Sequence, residues 1–280
     1  MVANTDATDS RQYRFGFVAD SREDLPADFG VFAIHRDFHC ALFLPKDDAG
    51  WFDRPQYPPR IILLYGDSLE IHAHPSAGEE PAHVSFPELR FLESGHVLLQ
   101  GWLRFGAPGC DRELRYNTRS TPAVQRFLRS FRAAFVGLDS NPVGECANFG
   151  RPLDLKFGNG CADELMPGER ARAQFFQPSE RRLSKFGPFK REVSLPADLV
   201  CVTDRRVLWL TDRLRERYDP YGIITRFAPF RAISGLSCIR RQAGLILRVS
   251  LKSGFEWRVP MPDELEDEAR AFVQSAEFLQ

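Results

Sequence analysis

The chain has 280 residues, 43% hydrophobic and 27% charged, with a formal net charge of −1. This is globular composition, long enough for two cores of ordinary size, and it excludes a disordered chain. Near-neutral charge and the lack of any RNA- or DNA-reading motif also argue against a nucleic-acid partner.

In chain order, residues 1–28 read as a flexible leader. Met1 to Ser10 is polar and acidic, without the basic n-region or apolar h-region of a signal peptide. From Phe29, short β-rich runs follow at Val31–Ile34, Ala41–Leu44 and Ile61–Tyr65. Gly66-Asp67 reads as a tight hairpin turn, and Ser68–His74 alternates as the return strand. Val84–Phe86, Leu89–Leu92 and Val97–Phe105 continue the pattern, and a turn at Ala107–Gly109 leads to Arg112–Tyr116. A helix entered through Pro122 closes this half, with Val124, Phe127, Leu128, Phe131 and Phe135 along one stripe.

Residues 137–162, rich in Gly, Pro and Asn, read as a linker. Beyond it come the opening Leu165–Phe176 and strands at Leu199–Val202, Val207–Leu210, Tyr221–Phe227, Ala232–Ile239, Leu245–Leu251 and Phe255–Val259. A second helix, entered through Pro262, presents Leu265, Ala269, Phe272, Val273 and Ala276 on one face. Pro122 and Pro262 stand 140 residues apart, as do Ser94-Gly95 and Ser234-Gly235, which predicts an internal repeat.

The second half carries a resemblance. Leu165 to Glu169, the turn segment Val202 to Leu210, Pro229 to Gly235, and Gly254 to Val259 before the helix resemble the bacterial pleckstrin-homology-like (PH-like) or GRAM-type domain. Residues 29–136 are similar to it more distantly: the Thr203–Arg206 turn becomes Tyr65–Ser68, and the Pro-Gly-Glu opening is absent. The resemblance implies an α+β, mainly β fold of two PH-like barrels (29–136 and 163–280). Each would have about seven antiparallel strands and a C-terminal helix at its mouth. It also implies a binding module without chemistry, for headgroups, peptides or partner proteins.

Charge is uneven, with 19 Lys/Arg against 8 Asp/Glu over residues 170–258. The leading candidate contact site is Arg181, Arg182, Lys185, Phe186, Phe189, Lys190 and Arg191, five cations around a turn at Phe186-Gly187-Pro188-Phe189. In eukaryotic PH domains the corresponding hairpin holds a phosphoinositide through a Lys and a basic-X-Arg triplet. Lys185 and Lys190-Arg191 resemble this without the spacer residue. At ~1 kcal/mol per cation near an anionic bilayer, five give ~5 kcal/mol, a partition constant only in the thousands. A solvated basic loop is the alternative. A second basic group comprises Arg205, Arg206, Arg213, Arg215, Arg217, Arg240 and Arg241, several with acids nearby, which favours surface pairs.

All six histidines precede residue 97 (His35, His39, His72, His74, His83 and His96). Gly66, His72, His74 and Glu79 are spaced as in the first metal motif of cupins, which would imply zinc, iron or manganese and a metal-dependent enzyme. The closing Gly of that motif is absent and no second motif follows. The alternative is a strand face with pH-dependent charge. Trp51-Phe52, in a Pro-rich loop, is a candidate peptide contact.

The chain contains no G-x-S-x-G, P-loop or G-x-G-x-x-G. The six cysteines form no C-x-x-C pair, so zinc knuckles and a disulfide framework are not expected, and Cys201 and Cys238 read as buried thiols. The expectation is a cytoplasmic, non-enzymatic protein without cofactor. Its partner would be a protein or an anionic surface at the inner membrane, and it could form a homo-oligomer.

Overall fold

The computed structural model describes residues 13–33, 36–46, 57–97, 99–136, 146–186, 189–214, 217–218, 222–241 and 244–276. For 181–186, 189–194, 213–214 and 217–218 it describes the backbone alone. The chain is mainly β and divides into two compact units, Met1–Leu89 with Leu98–Gly137, and Arg90–Val97 with Leu138–Gln280.

In the first unit, β1 (Phe17–Ala19), β2 (Cys40–Leu44), β3 (Arg60–Leu64), β4 (Ser68–Ala73) and β5 (Ala82–Ser85) form an antiparallel meander in chain order. β2 and most of β3 are buried on both faces, so they read as continuous apolar runs rather than alternating ones. The expected turn forms at Gly66-Asp67, closed by Tyr65 N–H donating to Ser68 O at 2.9 Å. After β6 (Phe91–Val97), which belongs to the second unit, β7 (Gln100–Ala107) and β8 (Cys110–Asn117) form a hairpin turning at Gly109, φ +71°. Gly101 faces Tyr116 in this hairpin, and a Cβ there would stand 2.2 Å from the Tyr116 ring. Helix α1 (Thr121–Val136) packs on β1 and β2, with every residue of its predicted stripe buried. Phe131 lies at the centre of that core, within 5.3–5.8 Å of the Phe86, Phe105 and Phe135 rings.

Two expectations change here. Gly30–Ala33 is a 3₁₀ turn, not a strand, because the N–H groups of Phe29 and Gly30 have already bonded to Pro26 O. From Tyr13 onward the leader is built into the unit. β1 pairs with β2, and Leu25 and Phe29 are buried in the same cluster as Phe43 and Ile61.

The second unit adds β9 (Ala147–Gly150), α2 (Leu155–Glu164), β10 (Ala171–Gln177), β11 (Glu180–Phe186), β12 (Phe189–Leu195), β13 (Asp198–Thr203) and β14 (Arg206–Thr211). Then follow β15 (Arg213–Leu214), β16 (Arg217–Tyr218), β17 (Ile223–Pro229), β18 (Ile233–Arg241), β19 (Gly244–Leu251), β20 (Glu256–Met261) and α3 (Glu266–Ala276). One sheet runs β6–β17–β14–β13–β10–β9, and β18–β19–β20 form another. Between them lies a core of Phe175, Val200, Trp209, Leu247, Val249, Trp257, Val259 and the α3 residues Phe272 and Val273. The segment read as a linker thus contains β9 and most of α2.

The sheets are open rather than closed into barrels. The edge of β17 is taken by β6, with Phe227 opposite Leu92 and Thr225 opposite Ser94. The edge of β10 is taken by β9 in parallel register. Both added strands need glycine to approach. A Cβ on Gly222 would lie 2.7 Å from His96 O, and one on Gly150, at φ +79°, 2.3 Å from Phe176 O. Among the described residues no helix is long and apolar enough to cross a membrane.

Candidate functional site

The basic-aromatic segment folds as the hairpin β11–β12, a two-stranded ladder that pairs with no other described strand. Its register sets Arg181 opposite Ser194, Arg182 opposite Val193, Ser184 opposite Arg191, Lys185 opposite Lys190 and Phe186 opposite Phe189. Gly187-Pro188, between the two phenylalanines, lies outside the described residues. An isolated two-stranded hairpin is marginal in water.

Among the described residues, the arginines of the other basic group are not gathered into one surface. Arg206 is fully buried and Arg205 nearly so, while Arg240 pairs with Asp263 and Glu266 on the surface. Arg213 and Arg217 are described by backbone alone, and Arg215 lies outside the described residues. Arg241, Phe255, Glu256 and Arg258 line a shallow depression on the β18–β19–β20 sheet, where Arg248 and Arg258 share the Glu256 carboxylate.

Arg206 belongs to a buried polar cluster that the sequence did not announce. Its Nε and Nη2 donate to the two carboxylate oxygens of Glu169 at 2.8 and 2.7 Å, and Nη2 also donates to Glu164 O at 2.6 Å. Glu169 in turn accepts from Met166 N–H and from the Thr203 hydroxyl, both at 2.8 Å. The Thr203 oxygen accepts from Arg205 N–H and Arg206 N–H, closing the turn. The Pro-Gly-Glu opening and the Thr-Asp-Arg-Arg turn, quoted above as separate motifs, are therefore two halves of one ion-paired joint. Burial pushes the Glu169 carboxyl up, but the Arg206 guanidinium and these donors outweigh it and hold the group below its ordinary range.

Near the joint, the Cys161 thiol of α2 is held below the ordinary thiol range by its neighbour Cys201 of β13, and Cys201 is held above it by Cys161 and by burial. Cys238, read as buried, is only half-buried. Further along β13, Asp198 accepts from Trp209 Nε1 at 2.8 Å and Gln177 Nε2 at 3.0 Å. Complete burial still pushes its carboxyl up to about 6.

The cupin-like residues are each engaged elsewhere. His72 is buried, stacks on Phe32 at 4.3 Å and bonds Glu70 through Nε2 at 2.9 Å. His74 bonds Asp28 at 2.8 Å and Ser76 at 2.7 Å, using both ring nitrogens. Glu79 accepts two hydrogen bonds from Arg60. Among the described residues no three His, Cys, Asp or Glu gather as metal ligands would. His35, Trp51 and Phe52 lie outside the described residues. Compared with known families and characterised proteins, the sequence matches no family model and no characterised relative.

Proposed function

We propose that the chain is a non-enzymatic binding and scaffolding protein of the PH-like kind. Its β11–β12 hairpin would grip an acidic surface of a partner protein. The observation that carries this reading is the Lys185–Lys190 cross-strand pair, on a hairpin that pairs with no other described strand. A ladder that repels itself gains stability from a bound anion, so order and binding are coupled. The repeated terminal helices and the resemblance of residues 163–280 to the PH-like family support a binding module, although its sheets are open rather than barrels.

Phe186 opposite Phe189 favours one second reading, since aromatics beside a cationic turn also suit an anionic bilayer. The test uses the full chain against poly-L-glutamate and, separately, against phosphatidylcholine vesicles with and without phosphatidylserine, at low and high salt. Poly-L-glutamate binding that Lys190→Glu with Arg191→Glu abolishes supports the protein reading. Flotation only with phosphatidylserine moves the assignment to membrane. Binding unchanged by the charge reversal, or no binding to either probe, removes the hairpin as the contact site.

A further inference from the structure

The outer margin of β10 is covered by β9, four residues laid down in parallel register. It is a slight cover. Ala147 and Asn148 are exposed, Phe149 and Gly150 are half-buried, and Arg151 to Leu155 beyond them are exposed again. Parallel pairs are slightly weaker per residue than antiparallel ones, and four residues make a short strand. Exchange of β9 for another extended segment therefore breaks few contacts. It also leaves β10 in its sheet, paired with β13 at six positions.

What β9 does contribute defines the groove it fills. Phe149 lies beside Phe175 in the register and meets Phe272 of α3 edge-on, with ring centroids 5.9 Å apart. Phe175 also stands 5.9 Å from Phe272, so strand and helix together form an aromatic seat for one ring. The next position is equally restrictive. Gly150 takes φ +79°, and a Cβ there would stand 2.3 Å from Phe176 O. The same bend lets Arg151 N–H donate to that oxygen at 2.9 Å. The margin thus selects a phenylalanine followed by glycine, while Ala147 and Asn148 ahead of them pair with Ala173 and Gln174.

We propose that the β10 margin is a second docking site, filled here by β9 as a built-in stand-in. An extended, uncharged segment of a partner protein carrying Phe-Gly replaces β9 by strand addition. This site goes beyond the β11–β12 hairpin, since it selects shape and backbone hydrogen bonds rather than charge. A strand tethered to its own groove competes at high effective concentration, so the unaltered chain binds a free peptide weakly. Weakening β9 raises the fraction of chains with an open margin, and apparent affinity rises by the same factor.

The probe is the peptide acetyl-Ser-Ala-Asn-Phe-Gly-Gln-Pro-Leu-amide, residues 146–153 with Cys146→Ser and Arg151→Gln, carrying an uncharged fluorophore. It is titrated into the full chain and followed by anisotropy. Chains with Gly150→Ala or Phe149→Ala should bind it at least about tenfold more tightly than wild type. A peptide with alanine in place of its glycine should bind none of the three. Peptide binding should slow amide exchange across Ala171–Gln177 in the Gly150→Ala chain. It should also be equal at low and high salt, unlike the hairpin's contact with poly-L-glutamate. Binding no tighter in either variant than in wild type, equal binding of the alanine peptide, or binding that salt abolishes overturns the proposal. Where Gly150→Ala fails to fold, Phe149→Ala against wild type decides the matter.

Discussion

Replacing Glu169 by Gln keeps the shape of the side chain and removes its charge, leaving the Arg206 guanidinium buried at 0% exposure with no anion. The new amide also presents a donor where Arg206 and Met166 N–H already donate. Removing one partner of a buried ion pair costs about 3–5 kcal/mol, far above the ~1 kcal/mol of an exposed pair. For a unit of this size, at about 2–4 °C per kcal/mol, the second unit's Tm should fall by roughly 6–20 °C. Differential scanning calorimetry and urea unfolding of the full chain measure it. Glu169→Leu combined with Arg206→Met removes both charges and should be at least as stable as Glu169→Gln, although Met166 N–H and the Thr203 hydroxyl lose an acceptor. The pH dependence has a definite sign. The carboxyl is held low in the folded state, so its contribution is complete above its ordinary value near 4.5 and is lost as pH falls through the folded value. Glu169→Gln should therefore lose that part of the acid-side slope. A destabilisation below about 1 kcal/mol, or a double variant weaker than the single, would refute the reasoning.

Asp198 should act in the opposite direction. With its folded value near 6 against an ordinary 3.8, stability should fall by roughly 3 kcal/mol between about pH 4 and pH 6. Asp198→Asn should flatten that slope in urea titrations at pH 4.5 and 7, and an unchanged slope would count against the burial argument. Gly150→Ala combines a left-handed φ with a Cβ 2.3 Å from Phe176 O, and should cost about 2 kcal/mol or more in chemical denaturation. Gly168→Ala, also at positive φ but in open space, should cost less. In the first unit, Phe131→Ala should cost about 3–5 kcal/mol, with the loss confined to that unit's transition.

What the sequence made legible follows from the range of the forces involved. The α1 stripe, the Gly66-Asp67 turn and the β11–β12 hairpin are encoded within a dozen residues, and periodicity or turn chemistry displays them directly. The β6–β17 pairing joins segments about 130 residues apart, and nothing local in Phe91–Val97 names its partner. Glu169 and Arg206 were invisible for a related reason: each reads alone as a turn acid or a surface cation, and only their meeting explains them. The Val31 run has strand composition, but the backbone bonds begun at Pro26 carry it into a 3₁₀ turn.

The lending of Phe91–Val97 to the second unit has a consequence for how the polypeptide is made. At ~5–20 residues per second, the ribosome needs roughly 7–26 s after this segment emerges before its mate at Ile223–Pro229 exists. For that interval the strand, with Phe91 and Leu92 at its start, must wait without its neighbour. A gene fragment starting at Leu138 would lack Phe91–Val97 and leave the Ile223–Pro229 margin bare.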